Sequence, residues 1–222
     1  MNIKAVVFDI DGTLYPNYQM ILQSIPFSIT HIGLIINFSK VRKEIRTLRP
    51  INNFHKKQQE LLAKYMNISS EKAGEIIKRE IYGKWETTFK GIKPFPGVED
   101  LLYYLKERGI KLGVLSDFPI NKKLDYLKLP DVWDVKDTSE NTGYLKPNPE
   151  PFYRVSKDLN ILPEEILYVG NNYEYDVVGA RNCNMYTAYL GREREKGKGA
   201  DIFFRSYNEL QEKIIPFLPN TN

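Results

Sequence analysis

Two carboxylates, Asp9 and Asp11, flank a single residue in the run Val6-Val7-Phe8-Asp9-Ile10-Asp11-Gly12-Thr13. In an extended segment, side chains at i and i+2 share a face, so both can point into one site. Two such charges about 4 Å apart repel by roughly 4 kcal/mol at an effective dielectric near 20. A divalent cation, or a proton on one carboxyl, relieves that repulsion, so the pair suits either a metal site or an acid set beside a nucleophile. Gly12 lets the backbone turn so that its N–H groups face an anion. Three more polar groups recur farther along. Ser116 and Asp117 follow the apolar run Val114-Leu115, Lys146-Pro147 precedes a helical stretch, and Gly170-Asn171-Asn172 with Asp176 follow Ile166-Leu167-Tyr168-Val169. Taken singly, Ser116-Asp117 reads as a helix N-cap, Lys146 as a surface lysine and Asp176 as a first-turn charge favoured by the helix dipole. Their place together in one ordered set with Asp9 and Asp11 raises them above those readings.

The elements that must position these groups follow from the periodicity. Lys4 to Phe8 is a short β-branched and aromatic run, hence a buried strand. From about Pro16 to Gly91 apolar residues recur at helical spacing (Ile21, Ile25, Ile29; Val41, Ile45, Leu48; Leu61, Leu62, Tyr65; Ile76, Ile77, Ile81), with breaks at Pro50 and near Asn67-Ile68-Ser69. After Pro94-Phe95-Pro96-Gly97, strands alternate with helices. Strands are expected at Lys111–Leu115, Val132–Val135, Ile166–Val169, Met185–Tyr189 and Asp201–Phe204. Helices are expected at Val98–Arg108, Asn121–Leu127, Pro149–Leu159, from Tyr175 to Arg181, and Tyr207–Phe217. Such alternation means an α/β fold, a doubly wound parallel sheet with helices on both faces. In such sheets ligands bind beyond the carboxyl ends of the strands, where Asp9, Asp11, Ser116 and Asn171 fall. The expected division is a core of residues 1–15 and 92–222, with a helical insert over 16–91.

Together these motifs resemble the haloacid dehalogenase superfamily of phosphohydrolases: Asp9-Ile10-Asp11-Gly12-Thr13, then Ser116, then Lys146 before Pro147, then Gly170-Asn171 with Asp176. The resemblance spans nearly the whole chain and implies a Rossmann-like core roofed by a helical-bundle cap, inserted after the first motif. It implies that Asp9 attacks phosphorus and that Asp11 protonates the leaving oxygen and later activates water. It further implies that Asp9, the Asp11 carbonyl, Asn171 and Asp176 hold Mg²⁺, and that Gly12, Thr13, Ser116, Asp117 and Lys146 bind the phosphorylated substrate. One position departs from the family pattern. Asn171 stands where an aspartate is usual, so one negative charge is lost and weaker metal binding is expected. Dehalogenase relatives also carry an asparagine there and need no metal, but they lack the second aspartate of the first motif. Asp11 therefore favours the phosphatase, with a phosphomutase and a non-catalytic binding protein as further alternatives. A small phosphorylated metabolite is the expected partner; nucleoside monophosphate, sugar phosphate and phosphoglycolate all fit. The run Gly12-Thr13-Leu14-Tyr15-Pro16 is similar to that of pyrimidine nucleotidase-like members.

Composition agrees with an enzyme of this kind. The 222 residues are 42% hydrophobic and 27% charged with a net charge of +4, which suits an anionic substrate but supplies no basic cluster for nucleic acid. The single cysteine, Cys183, excludes an internal disulfide and a multi-cysteine zinc site, and it reads as a small buried hydrophobe. Met20 to Phe38 is apolar but interrupted by polar residues and Pro26, so no membrane span is expected and a cytoplasmic location is the default. His31 and His55 read as structural or exposed. The basic series Lys40, Arg42, Lys43, Arg46 and Arg49 reads as a solvated helix face, and Arg192 to Lys198 as a solvated loop. Gly191 to Lys198 has the wrong spacing for a P-loop. Tyr15, where the chain leaves the first strand, is expected to line the pocket.

Overall fold

The structure is a computed structural model that describes residues 2–120, 122–191 and 199–219. Strand β1 (Ala5–Phe8) is buried at every position, which is why its run is uniformly apolar. The chain then leaves the sheet at Pro16 for a series of helices. Helix α1 (Asn17–Ile45) carries Pro26 and is broken at His31 (φ −126°, ψ 22°). There the Thr30 hydroxyl turns back onto the Pro26 and Phe27 carbonyls, and the His31 ring stacks on Phe27. Helix α2 (Phe54–Met66) is capped by Asn53, which accepts the Lys56 N–H, and is ended by the left-handed Asn67. Helix α3 (Ser70–Ile76) starts at the Ser69 cap and runs on through a wide π-helical segment (Ile77–Lys84) and a tight 3₁₀ segment (Trp85–Phe89). Leu34, Phe38, Val41, Leu61, Leu62 and Ile77 form a core that belongs to these helices. Exit and return are stitched together: the Phe95 N–H donates to the Leu14 carbonyl, and Gln19 bonds both ways to the Lys93 backbone.

The returning chain forms α4 (Val98–Glu107), β2 (Lys111–Ser116), the short α5 (Lys123–Tyr126), β3 (Val135–Thr138), α6 (Pro149–Leu159), β4 (Ile166–Gly170), the short α7 (Gly179–Asn182), β5 (Tyr186–Leu190), β6 (Ile202–Phe204) and α8 (Tyr207–Ile214). Among the described residues the sheet has the order β3-β2-β1-β4-β5-β6, and every pairing is parallel. This is the Rossmann-like doubly wound architecture. Val6 and Phe8 cluster with Leu101 and Leu105 of α4 and Leu210 of α8. Ala5 and Val7 cluster with Phe152, Val155 and Leu159 of α6. Alternate residues of one four-residue strand thus hold helices on opposite faces. The strand order reverses beside β1, which opens a crevice at the carboxyl ends of β1, β2 and β4.

Several expectations shift in position. The third strand begins at Val135 rather than Val132, because Asp134 takes the ladder position with its side chain: its Oδ2 accepts the Leu112 N–H while Trp133 packs edge-on against Phe8. The segment after β2 is mostly loop, with one turn of helix at Lys123–Tyr126; Asn121, the expected start, lies outside the described residues, as does the loop 192–198 with Gly197 and Lys198. Helix α1 is long and apolar enough by length and composition to cross a bilayer (mean hydropathy 1.4), and Ile21, Leu22, Ile25 and Ile29 lie on its exposed side. Its second half instead packs into the inserted helices through Leu34, Phe38 and Val41.

Candidate active site

Each strand end contributes to one polar cluster. Asp9 follows β1 directly and is almost fully buried. Its Oδ2 accepts the Thr13 hydroxyl at 2.8 Å and its Oδ1 accepts the Lys146 ammonium at 2.8 Å. Lys146 is buried as well, and its Nζ also donates to Asp176 Oδ1 (2.6 Å), the Tyr168 hydroxyl (3.0 Å) and the Leu115 carbonyl (3.4 Å). Asp176 is fixed from the other side by the Asn172 N–H at 2.9 Å. Gly170 makes this approach feasible, since a Cβ there would lie 2.4 Å from the Asp176 Cβ. One ammonium therefore ties the segment after β1 to the segment after β4.

Electrostatics in this pocket of the fold run against the charged form of Asp9. Burial raises its carboxyl most; Lys146 opposes that, while Asp176 and Asp11 raise it further, leaving it pushed up to about 7. Burial would lower the Lys146 ammonium, but the Asp176 and Asp9 carboxylates hold it well above the usual lysine range.

Asp11 lies apart from Asp9 in its bonding. Its Oδ1 accepts the Tyr15 hydroxyl at 2.8 Å, its Oδ2 accepts Ser116 Oγ at 3.3 Å, and Lys123 Nζ donates to both oxygens at 3.0 and 2.7 Å. Gly12 follows Asp11 at φ +87°, and a Cβ there would lie 2.3 Å from Asn171 Nδ2. Only glycine permits both that conformation and that contact. Asn171 Oδ1 lies 3.3 Å from Thr13 Oγ1, the hydroxyl that donates to Asp9. Asp9, Thr13, Lys146, Asn171 and Asp176 thus form one bonded group, and Asp11, Tyr15, Ser116 and Lys123 a second beside it, whose Asp11 charge is felt at Asp9.

Asp117 is placed differently. Its carboxylate is taken up by Arg46 and by the Lys146 N–H, and its backbone carbonyl accepts from Arg42. Burial would raise its carboxyl, but the Arg46, Lys146 and Arg42 charges outweigh burial and hold it below the ordinary range. This locates the basic series. Instead of a solvated face, Arg42, Arg46 and Arg49 bind the sheet side of the molecule: Arg42 pairs with the buried Glu140, Arg46 with Asp117 and the Lys146 carbonyl, and Arg49 with Glu150. Arg42 lies in the last turn of α1, Arg46 caps its end and Arg49 follows beyond it, paired but still exposed. Lys40 and Lys43 remain exposed. Tyr15 does not line the cavity; it is fully buried, with its ring against Phe89 and its hydroxyl spent on Asp11.

Two participants escape the sequence motifs. Tyr168 lies within an otherwise aliphatic strand, and a buried phenol needs a partner for its hydroxyl, which is the signal that could have found it; that partner is Lys146. Lys123 carries no such signal; only the fold brings it to Asp11.

The side chains near Asp9 that could ligate a metal offer oxygens, its own carboxylate, Asp176 and the Asn171 amide oxygen, with the Lys146 ammonium lying between Asp9 and Asp176. A hard divalent ion suits such a set, and it would favour the charged form of Asp9 that burial and the Asp176 and Asp11 charges oppose. With asparagine at 171, no group of three or more aspartate, glutamate, histidine or cysteine side chains suited to a metal occurs among the described residues.

A sequence model of the haloacid dehalogenase-like hydrolases matches residues 3–184. The chain is 30% identical over 219 residues to a glyceraldehyde 3-phosphate phosphatase of Methanopyrus kandleri, covering 95% of this chain and 91% of that protein. It is 26% identical over 236 residues to the pyrophosphatase PpaX of Bacillus cereus, covering 100% and 99%. Its fold matches β-phosphoglucomutase from Clostridium difficile with a TM-score of 0.71, at 20% identity and across 96% of each chain. With the four motif positions gathered at the ends of β1, β2 and β4, and with the family match covering most of the sequence, the chain belongs to the haloacid dehalogenase-like hydrolase family.

Proposed function

We propose that this hydrolase cleaves small-molecule phosphate monoesters through an aspartyl-phosphate on Asp9, with Mg²⁺ as cofactor. The observation that carries the reading is the buried Asp9 carboxylate held at the strand end by Thr13 and Lys146, with Asp11 oriented separately by Tyr15, Ser116 and Lys123. The two carboxylates have different partners, which suits two different roles. An Asp9 oxygen attacks phosphorus, the bond from phosphorus to the ester oxygen breaks, and Asp11 gives that oxygen a proton. Water then attacks the same phosphorus, its proton passes to Asp11, and the Asp9 carboxylate is released with inorganic phosphate. Lys146 lies within reach of the transferred oxygens and offsets their charge. When bound, Mg²⁺ would be held by Asp9, Asp176, Asn171 and the Asp11 carbonyl and would neutralise charge on the phosphoryl group. The helices between β1 and β2, residues 16–91, act as a cap over a core of 1–15 and 92–222, and a cytoplasmic location is in keeping with this role.

The phosphatase names of its relatives support the reaction class. The test is release of inorganic phosphate from a panel of esters with and without Mg²⁺. Release that requires Mg²⁺ and is lost in Asp9→Asn is the expected result; chloride release from 2-chloropropionate, with no release from any ester, would contradict it.

A further inference from the structure

Next to Asp11 lies a small, largely apolar cavity of about 90 Å³. Its walls are Met20, Ile81, Tyr82, Trp85, Phe89 and Phe118. Tyr82 presents its ring, because its hydroxyl is engaged with Glu140 and Gln58. Trp85 and Phe118 meet edge to face at 5.4 Å. The charged groups at the cavity are Asp11, Glu86 and Lys123. Lys123 is the cation among them, and its Nζ is bonded to both Asp11 oxygens and lies over the Phe89 and Phe118 rings at 4.7 and 5.4 Å. Two carboxylates therefore face one ammonium, and the balance at this wall is negative. Asp11 lines this cavity and Asp9 does not.

That arrangement bears on the substrate, given the reading of Asp11 as the group that protonates the leaving oxygen. Whatever is esterified to phosphate must extend from Asp11 into this cavity. We propose that the leaving group is an uncharged, predominantly apolar alcohol or phenol, seated among Met20, Tyr82, Trp85 and Phe118. A second phosphate, as in pyrophosphate, or a carboxylate, as in phosphoglycolate, would meet aromatic walls and a net negative charge there, with no uncommitted cation among the lining residues. A polyhydroxylated sugar would leave its hydroxyls without partners against four aromatic rings.

The inference rests on the phosphatase reading, so binding and turnover are measured separately on the full chain with Mg²⁺. Calorimetric titration compares benzylphosphonate with phosphonoacetate, neither of which can be hydrolysed. Kinetics compare benzyl phosphate, phosphoglycolate, pyrophosphate and acetyl phosphate, the last too small to need the cavity. Benzylphosphonate is expected to bind at least about tenfold tighter than phosphonoacetate, and Trp85→Leu to weaken benzylphosphonate binding about tenfold. Met20→Lys, which adds a cation to the wall, is expected to narrow or reverse the preference. Tight benzylphosphonate binding without hydrolysis of any ester would uphold the cavity assignment and remove the phosphatase reading. Hydrolysis of acetyl phosphate with phosphonoacetate bound as well as benzylphosphonate would overturn the cavity assignment and leave the phosphatase standing.

Discussion

Replacing Lys146 with methionine removes one ammonium and keeps most of the side-chain volume. Its Nζ lies 2.8 Å from Asp9 Oδ1 and 2.6 Å from Asp176 Oδ1, so those two oxygens are at most roughly 5 Å apart. Without the lysine they face each other in a buried site, which costs about 3 kcal/mol at an effective dielectric near 20. Breaking a buried ion pair by removing one partner costs about 3–5 kcal/mol, so the two routes agree. The loss must depend on pH. Asp9 already has its carboxyl raised to about 7 with Lys146 present, and the substitution pushes it higher. A carboxyl whose pKa is higher folded than unfolded favours folding while it is protonated, and that contribution disappears as pH rises through the folded pKa. Urea unfolding of the Mg²⁺-free protein is therefore expected to show a loss of about 3–5 kcal/mol for Lys146→Met at pH 8. Near pH 5, where Asp9 is protonated, about 1–2 kcal/mol remains for the lost hydrogen bonds. Excess Mg²⁺ at pH 8 is expected to restore part of the stability but none of the turnover. A loss that is equal at the two pH values, or greater at pH 5, would refute the bridging role of Lys146.

Other perturbations follow from the same contacts. Asn171→Asp adds a carboxylate beside Thr13 and Asp9, so half-saturation by Mg²⁺ should fall by an order of magnitude or so, as read from metal titration of turnover; an unchanged half-saturation would remove Asn171 from the metal site. Gly12→Ala forces a side chain onto a φ of +87° and into the Asn171 amide, so a loss of at least about 1–2 kcal/mol in stability together with loss of activity is expected from thermal melts and kinetics. Asp117 has a carboxyl held below the ordinary range, so its ion pair with Arg46 stabilises the fold above about pH 4 and is lost as pH falls; Asp117→Asn should flatten the acid limb of stability, and an unaltered limb would contradict the pairing. Cys183 is buried with its thiol pushed up to about 11, so alkylation of the native protein by iodoacetamide at pH 8 should be far slower than after unfolding.

What could be read without coordinates divides along physical lines. Asp9, Asp11, Ser116, Asn171 and Asp176 were legible because a strand's end is marked by the change from apolar to polar residues, and the family resemblance supplied the order. Strand β3 was harder: Lys136 and Asp137 lie at the sheet's outer side, so no continuous apolar run marks it. Arg42 and Arg46, at the end of α1, differ from a solvated face for another reason. A basic residue every three or four positions is also how a surface helix looks, and Glu140 and Asp117, which bury Arg42 and Arg46, lie more than 70 positions away. Tyr15 and Lys123 illustrate the same limit. Both touch Asp11, one four residues away and one 112 away, and neither contact leaves a periodic trace.

The central claim is covalent attack by Asp9, and rapid acid quenching during turnover tests it most directly. After quenching, peptic digestion and mass spectrometry locate any phosphoryl group. The expected result is an added phosphoryl group on Asp9 in the peptide containing Phe8-Asp9-Ile10-Asp11, present during turnover and absent from Asp9→Asn. Rapid turnover with no phosphorylated peptide at any quench time, or with phosphorylation unchanged in Asp9→Asn, would contradict the account.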